Sequence, residues 1–177
     1  PALPPASSTP FKPEPTLETA DYDHILSIIQ SMVNVMERSP SAFKSMDEES
    51  LRSHFLVQLN GHYEGQATGE TFNYQGKTDI LIRSAGKNIF IAECKFWSGL
   101  KKLIETIDQL LGYSSWRDTK VAVIVFNRNK DFSKVLESIQ LATKEHSNFK
   151  RQIATTSETM FRYVFAHRDD SNRELLF

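Results

Sequence analysis

Asp79, Glu93 and Lys95 are the residues whose types and spacing could support chemistry. They lie in two segments rich in β-branched and aromatic residues, Gly76–Arg83 and Asn88–Trp97, which a short glycine-containing connection joins. This composition predicts two strands paired as a hairpin. Two acids and a lysine brought together on neighbouring strands could hold a divalent cation and act on a phosphate ester.

Side-chain alternation along the second strand places Glu93 and Lys95 on the same face as Ile89 and Ile91. Two charges on an otherwise apolar face, at the end of an inner strand, cost free energy unless something pairs with them. A divalent cation shared with Asp79 would be such a partner. The alternative is a plain ion pair between Asp79 and Lys95 on a half-solvated sheet.

The length of the hairpin loop decides whether Asp79 can share this face. Residues directly opposite each other in a hairpin point to the same face of the sheet. A two-residue turn at Ala85–Gly86 would place Asp79 opposite Ala92, on the wrong face. A three-residue loop with glycine in a left-handed conformation would place it opposite or diagonal to Glu93. The site therefore predicts an odd-numbered loop.

An aspartate, thirteen further residues and then Glu-x-Lys is a pattern that resembles the PD-(D/E)xK nuclease superfamily. The resemblance implies that Asp79, Glu93 and the carbonyl of Cys94 hold Mg²⁺, with Mn²⁺ as a substitute. It also implies that Lys95 orients the attacking water. Thr78 stands where the superfamily name has proline, a position that is often replaced. Because Cys94 points to the opposite face of its strand, we expect a buried thiol rather than a nucleophile.

Glu48 is a candidate third carboxylate. A helix is predicted from Ser45 to about Gly61, with a buried stripe of leucine and phenylalanine, and Glu48 lies in the middle of that stripe. Members of the superfamily often place a glutamate on the helix before the hairpin, pointing at the metals. Ser45-x-x-Glu48 is also a capping box, which would bind Glu48 to the backbone of Ser45 instead. Both interpretations stay open, with Glu49 as the substitute.

The remaining hydrophobic periodicities predict an α/β domain. In chain order they are a helix over Tyr22–Met36, the helix after Ser45, an edge strand over Gln66–Asn73, the hairpin, a helix from Leu100 to about Trp116, an apolar strand over Val121–Phe126, a helix around Phe132–Ile139 and a closing strand over Phe161–Phe165. This order, α-α-βββ-α-β-α-β, resembles the restriction-endonuclease-like core, a mixed sheet flanked by helices, over about residues 45–168, with 121–126 as a central strand. We expect the apolar stripe of the first helix to pack in the domain core, with a second protein as the alternative.

The helix that starts at Leu100 carries Gln109, Tyr113 and Arg117 one turn apart on one face. A Gln-x-x-x-Tyr pair at this place resembles the extra motif of the RecB-like exonuclease branch, where it supports the site and contacts substrate. The geometry of Arg117 suits a phosphate. A solvated helix face is the alternative interpretation of all three residues.

Basic residues are concentrated around the candidate site. Residues 76–130 hold ten bases and five acids, whereas residues 1–49 hold three bases and eight acids. Lys77, Lys101 and Lys102 flank the strands of the motif and are candidate contacts to a polyanion backbone, with ordinary solvated surface as the alternative.

The composition indicates one globular domain. The chain has 177 residues, of which 40% are hydrophobic, and a formal net charge of −1. Its single cysteine excludes a disulfide framework and favours the cytoplasm, and its apolar runs are too short for a membrane span. Residues 1–20 have the composition of a proline-rich linker before a domain over residues 21–177. We expect a further N-terminal domain in a longer protein.

These features predict a Mg²⁺-dependent endonuclease that acts on DNA, as the effector domain of a bacterial restriction or defence protein. Three alternatives stay open: a ribonuclease, a non-catalytic nucleic-acid-binding module on the same fold, and a protein-interaction domain. A homodimer is an alternative to a monomer.

Overall fold

The computed structural model describes residues 17–63, 67–73, 76–84, 87–114 and 120–177. The side chains of residues 67–73, 76–78, 83–84 and 87–89 lie outside this description. The helices are Thr19–Arg38 (α1), Pro40–Phe43 (α2), Glu48–Tyr63 (α3), Leu100–Tyr113 (α4) and Phe132–Glu145 (α5). The strands are Ala67–Asn73 (β1), Gly76–Ser84 (β2), Lys87–Phe96 (β3), Val121–Phe126 (β4), Phe149–Ile153 (β5), Arg162–Ala166 (β6) and Glu174–Leu176 (β7).

A four-stranded sheet in the order β1-β2-β3-β4 carries the predicted motif. The first three strands are antiparallel, and β4 runs parallel to β3 after the crossover helix α4. The predicted α/β class and the predicted edge position of β1 are confirmed. The prediction of a central strand at 121–126 is wrong, because β4 is the last strand of this ladder. Only an isolated parallel bridge, Lys120 to Leu176, lies beyond it in the described part of the chain.

The predicted closing strand is present as β6, but it belongs to a second sheet, in the order β5-β6-β7. Its three central residues, Tyr163–Phe165, are all buried, so the strand is covered on both faces. Tyr163 and Phe165 pack with Leu175 of β7 and with the apolar residues of α4. The periodicity of the sequence missed β5 and β7, because β5 is mostly exposed and polar and β7 has three residues.

Helix α1 forms as predicted and ends at Arg38, just before Ser39. Its apolar stripe packs in the main core, where the side chains of Tyr22, Ile25 and Ile29 are buried against residues of the four-stranded sheet. The hydroxyl of Tyr22 also donates a 3.0 Å hydrogen bond to the carbonyl of Val121 on β4. The stripe therefore serves the core of the domain, as expected. None of the helices described is long and apolar enough to cross a membrane.

Alternation along β3 places its residues in different layers. Phe90, Ala92 and Cys94 belong to the core cluster that includes α1 and α3. Ile91 instead packs with Leu110 of α4, together with a leucine of β2 and a valine of β4. Glu93 and Lys95 therefore share the face of Ile91.

Candidate functional site

The β2–β3 hairpin brings Asp79 and Glu93 to one face, but not through the predicted odd-numbered loop. Ser84 pairs with Lys87, which leaves two residues between the strands. The prediction of a three-residue loop is therefore wrong. With an uninterrupted ladder, this turn would have placed Asp79 opposite Ala92.

A bulge in β3 brings Asp79 back to the face of the sheet that carries Glu93. The register changes from Arg83 opposite Asn88 to Ile82 opposite Phe90, which leaves one extra residue in β3. Further from the turn, Ile80 pairs with Ala92, so that Asp79 and Glu93 follow in the same register.

Three acidic side chains surround the ammonium group of Lys95. Its Nζ atom lies 3.0 Å from Oδ2 of Asp79, 3.4 Å from Oε2 of Glu93 and 3.4 Å from Oε1 of Glu48. The predicted convergence of Asp79, Glu93 and Lys95 is therefore present, with Glu48 as the third carboxylate. We call these four residues the carboxylate–lysine cluster.

Asp79 is held on both of its oxygens. Oδ2 accepts a 2.9 Å hydrogen bond from the backbone N–H of Cys94, and Oδ1 accepts one of 3.1 Å from the guanidinium of Arg52. In the described pairing, the β2–β3 ladder ends at Ile80 and Ala92, so the N–H of Cys94 is donated to this side chain. The N–H and C=O of one strand residue point to the same edge, which directs the Cys94 carbonyl towards Asp79's side of the strand.

Glu48 joins the cluster because α3 begins at Glu48 itself. Its Oε2 atom accepts a 2.9 Å hydrogen bond from the backbone N–H of Phe96. Asp47 caps the helix instead, since its Oδ1 atom accepts the N–H of Ser50 at 2.8 Å. The capping interpretation of Ser45 and Glu48 is therefore wrong.

Glu49 points away from the cluster. Its side chain is 74% exposed, and its nearest ionic partner in the described chain is Arg52, at 4.0 Å. Glu48 is thus the helix carboxylate, and Glu49 is not needed as a substitute.

Arg52 is a member of the site that sequence reasoning missed. It is only 8% exposed and lies one turn after Glu48 on the same face of α3. A signal was available, because Glu48 and Arg52 both interrupt the stripe formed by Leu51 and Phe55. A buried arginine on an apolar helix face needs an anionic partner, and Asp79 is that partner.

Glu93 is the most deeply buried charge in the cluster, with 1% of its side chain exposed. Burial, followed by repulsion from Asp79, raises the pKa of Glu93 to about 7, although Lys95 opposes the change. Within the described chain, the Oε1 atom of Glu93 is buried and has no hydrogen-bond partner. A buried oxygen left without a donor is where a bound cation would bring the largest gain.

The pKa shifts of Asp79 and Lys95 favour their charged forms, whereas that of Glu93 favours its neutral form. Burial alone would raise the pKa of Asp79, but the hydrogen bonds from the Cys94 N–H and from Lys95 lower it. Burial alone would lower the pKa of Lys95, but its hydrogen bond to Asp79 and the surrounding carboxylates raise it. Asp79 is therefore an anion and Lys95 a cation, and Lys95 stabilises negative charge rather than removing protons.

The oxygen donors of the cluster are of the type that a hard divalent cation binds. Asp79, Glu93 and the Cys94 carbonyl supply the oxygen ligands that Mg²⁺ prefers. No group of three His, Cys, Asp or Glu side chains in the described chain has the arrangement of a metal site. The third carboxylate, Glu48, is bonded to Phe96 and Lys95 instead. The fit therefore rests on one carbonyl and two carboxylates, one of which has an unpartnered oxygen.

Gln109 and Tyr113 share a face of α4 as predicted, and the Gln109 side-chain amide donates a hydrogen bond to the Tyr113 hydroxyl. No hydrogen bond between described residues links this pair to Asp79, Glu93 or Lys95. The predicted extension of the helix to Trp116 is wrong, since α4 ends at Tyr113 and Ser114 is extended. Arg117 lies outside the described residues.

The predicted lysine contacts have different outcomes. Lys101 and Lys102 are exposed on the first turn of α4. Lys102 lies 3.5 Å from Glu105 and, with Lys95 and Trp97, lines a cavity of about 10 Å³, room for about one water molecule. Lys77 lies on β2, and its side chain is outside the described part.

Cys94 is a buried free thiol, as predicted. Burial raises the pKa of the Cys94 thiol well above its ordinary value, and the side chain packs in the apolar core behind the cluster. It therefore takes part in the site through its backbone alone.

Comparisons of the chain with protein-family models, curated proteins and solved structures gave no significant match.

Proposed function

We propose that this chain is a divalent-metal-dependent endonuclease that hydrolyses phosphodiester bonds in DNA. The observation that carries the proposal is the buried, unpartnered Oε1 atom of Glu93, beside a second carboxylate and a lysine whose charge is fixed. A buried carboxylate with a raised pKa and a specific charge partner marks a candidate functional site.

Each member of the cluster has a role in this proposal. Asp79, Glu93 and the Cys94 carbonyl would hold Mg²⁺, for which Mn²⁺ can substitute. When bound, the ion supplies a polarised phosphate and a more acidic water. Lys95 orients that water and stabilises the charge that develops on the phosphate oxygens. Arg52 and the Cys94 N–H keep the carboxylate of Asp79 in place.

The order of elements supports a finer assignment of the fold. We propose that α3, the β1–β2–β3 meander, α4 and β4 form a restriction-endonuclease-like core, within a nuclease domain over residues 21–177. The site lies where β2 and β3 stop pairing, which leaves the cluster open at one end of the sheet. An effector role in restriction or defence is the setting that we propose for such a domain.

One observation favours a second candidate, a nucleic-acid-binding or protein-interaction module without catalysis. Lys95 is already neutralised by three carboxylates, and the described residues contain no group of three metal-binding side chains. An ion-pair cluster of this kind could serve the fold alone. The two candidates differ in one measurable property, the response to Mg²⁺.

The deciding experiment is incubation of the chain with supercoiled plasmid, linear DNA and RNA, with Mg²⁺ and with EDTA. Mg²⁺-dependent nicking or linearisation of plasmid is the expected result. This result identifies an endonuclease, because a closed circle has no ends at which an exonuclease could start. Lys150→Ala is a matched control, since Lys150 also forms a lysine–carboxylate pair, with Glu174, but outside the cluster. Absence of Mg²⁺-dependent cleavage of all three substrates would leave the non-catalytic module as the better interpretation. Cleavage of RNA alone would change the substrate class.

A further inference from the structure

The loop that follows β4 lies next to the cluster because β3 and β4 are parallel. Lys95 pairs with Val125 and Phe96 with Phe126, so the residues after Phe126 emerge beside those after Phe96. Ligands of parallel sheets bind outside the carboxyl ends of the strands. The residues at this position are Asn127, Arg128, Asn129 and Lys130, two amides and two cations.

Arg128 connects β3 with the segment before α3, and β3 and α3 are two of the three parts of the chain that carry the cluster. Its guanidinium lies over the ring of Phe96, 4.0 Å from the centroid, and Phe96 directly follows Lys95. The same guanidinium donates a hydrogen bond to the carbonyl of Met46, two residues before Glu48. Arg128 thus contacts both β3 and the segment that leads into α3, and it remains exposed.

The loop is held in shape by its own hydrogen bonds. The side-chain oxygen of Asn127 accepts the N–H of Asn129 at 3.0 Å, and its amide donates to the Asn129 carbonyl at 3.1 Å. Asp131 then starts α5 in a left-handed conformation, with φ of 58°. An arginine stacked on a ring and set on a fixed turn loses less side-chain entropy when it binds an anion.

We propose that Arg128 binds a backbone phosphate of the DNA strand that lies in the cluster, next to the phosphate that is cleaved. This proposal rests on the proposed function and adds the element that holds the substrate. Guanidinium groups match phosphate oxygens with paired hydrogen bonds, and phosphates recur every ~3.4 Å of helix axis on one strand. An arginine beside the residue that follows Lys95 is placed to meet the neighbouring phosphate.

The charge around Arg128 leaves room for an anion. One acid, Asp47, is near enough for the cation to lower its pKa, after the larger effect of the hydrogen bonds from Ser50. Asp47 is committed to capping α3 through the N–H of Ser50. No ion pair within 4.0 Å joins Arg128 to a carboxylate in the described chain, in contrast to Arg168, which lies 3.4 Å from Asp169.

The test measures binding of a short fluorescent DNA duplex in Ca²⁺, over a series of KCl concentrations, with plasmid cleavage in Mg²⁺ measured in parallel. Arg128→Ala should weaken binding at least about tenfold, and it should reduce the slope of log affinity against log salt by about 1, as loss of one phosphate contact requires. Arg128→Lys should recover most of the slope but only part of the affinity, because lysine keeps the charge and loses the planar fork. Arg168→Ala, an exposed arginine in the loop between β6 and β7, is the matched control and should bind like the wild type.

Equal binding and an equal salt slope for the wild type and Arg128→Ala would overturn the proposal. A lower melting temperature for Arg128→Ala, with an unchanged slope, would also overturn it, because the residue would then only join the loop to Met46. If the wild type neither binds nor cleaves DNA, the proposed function itself fails. If it binds and cleaves but Arg128→Ala behaves identically, only the present inference fails.

Discussion

At the scale of single residues, the cluster concentrates an electrostatic cost on one side chain. Asp79 accepts three hydrogen bonds, from Arg52, Lys95 and the Cys94 backbone. Glu93, by contrast, is buried, repelled by Asp79 and left with one oxygen without a donor. A protein that keeps such a carboxylate in its interior gives up stability, which is a common property of sites that bind a charged ligand.

This cost predicts that Glu93→Gln stabilises the metal-free protein at alkaline pH. The pKa of Glu93 is raised from 4.5 to about 7 in the folded state. Below pH 4.5 both folded and unfolded forms are protonated, so the penalty is absent there. It grows as pH rises through the interval to 7 and is constant above it. Glu93→Gln, a neutral isostere, should therefore unfold at a higher urea concentration than the wild type at pH 8 but not at pH 4. The gain in the free energy of unfolding at pH 8 should be up to about 3 kcal/mol.

Urea unfolding in EDTA at the two pH values checks this expectation. Glu137→Gln, on the exposed face of α5, is the control and should show no pH-dependent difference from the wild type. With Mg²⁺ added, the wild type should gain stability and Glu93→Gln should gain less, because the ion binds the charged carboxylate of the folded state. If Glu93→Gln were less stable than the wild type at pH 8 in EDTA, the charged carboxylate of Glu93 would not be destabilising the folded protein.

Removal of the charged groups is expected to abolish cleavage while the chain still folds, although Asp79→Ala lowers its stability by removing the carboxylate beside the buried Arg52. Asp79→Ala, Glu93→Ala and Lys95→Ala should each lower the rate by ~10²–10³-fold or more, since each removes a charge on which stabilisation of the transition state depends. Ca²⁺ should support DNA binding but not turnover, because its longer and looser coordination holds water and phosphate less tightly. Gel assays of plasmid, with circular dichroism as the control for folding, measure both effects. Near-native cleavage by any of the three variants in Mg²⁺ would count against the site.

At the scale of elements, the sequence could predict which residues share a face but not how the chain achieves it. The period of two residues requires an unpaired residue between Asp79 and Glu93. The period alone cannot decide whether that unpaired residue lies in the loop or in a strand. In the structure the unpaired residue lies in β3. The start of α3 was uncertain for a similar reason, because Ser45 and Asp47 are both good helix caps two residues apart. Beginning the helix at Glu48 frees that carboxylate to reach Lys95.

The start of α3 gives a paired prediction on stability. Asp47→Ala should lower the free energy of unfolding, because it removes the hydrogen bond that satisfies the Ser50 N–H. Ser45→Ala should change it little, since α3 begins three residues later, at Glu48. Chemical denaturation of both variants checks this, and a larger loss for Ser45→Ala would place the cap where the capping box had predicted it.

At the scale of the whole molecule, the sequence predicted the four long helices and the strands of the first sheet, but it missed the short helix α2 and the second sheet. The apolar run of β4 looks like that of a central strand, because α1 and α4 cover both of its faces, although its outer edge has only the bridge at Lys120. The pattern of hydrophobic residues predicts which faces of a strand are buried, but it does not predict whether the edge of that strand is hydrogen-bonded to another strand. The pairing of β6 with β5 and β7 depends on residues far apart in the chain, such as Arg151 and Glu174. The carboxylate of Glu174 accepts hydrogen bonds of 2.7 Å from both terminal guanidinium nitrogens of Arg151.

The described residues offer few groups that could read a base sequence, which predicts cleavage with little or no sequence preference. Direct readout needs side chains placed against base edges, usually from an added helix or ribbon. The cations near the cluster, Lys101, Lys102 and Arg128, suit phosphates, whose contribution does not depend on sequence. Affinity for unrelated duplexes should therefore be equal within a few-fold and should fall steeply, and in parallel, as salt is raised. Mapping of cut positions on a long linear DNA measures this, with a site-specific restriction enzyme as the control. A reproducible ladder at one short motif, obtained with residues 1–177 alone, would mean that a base-reading element lies within this chain.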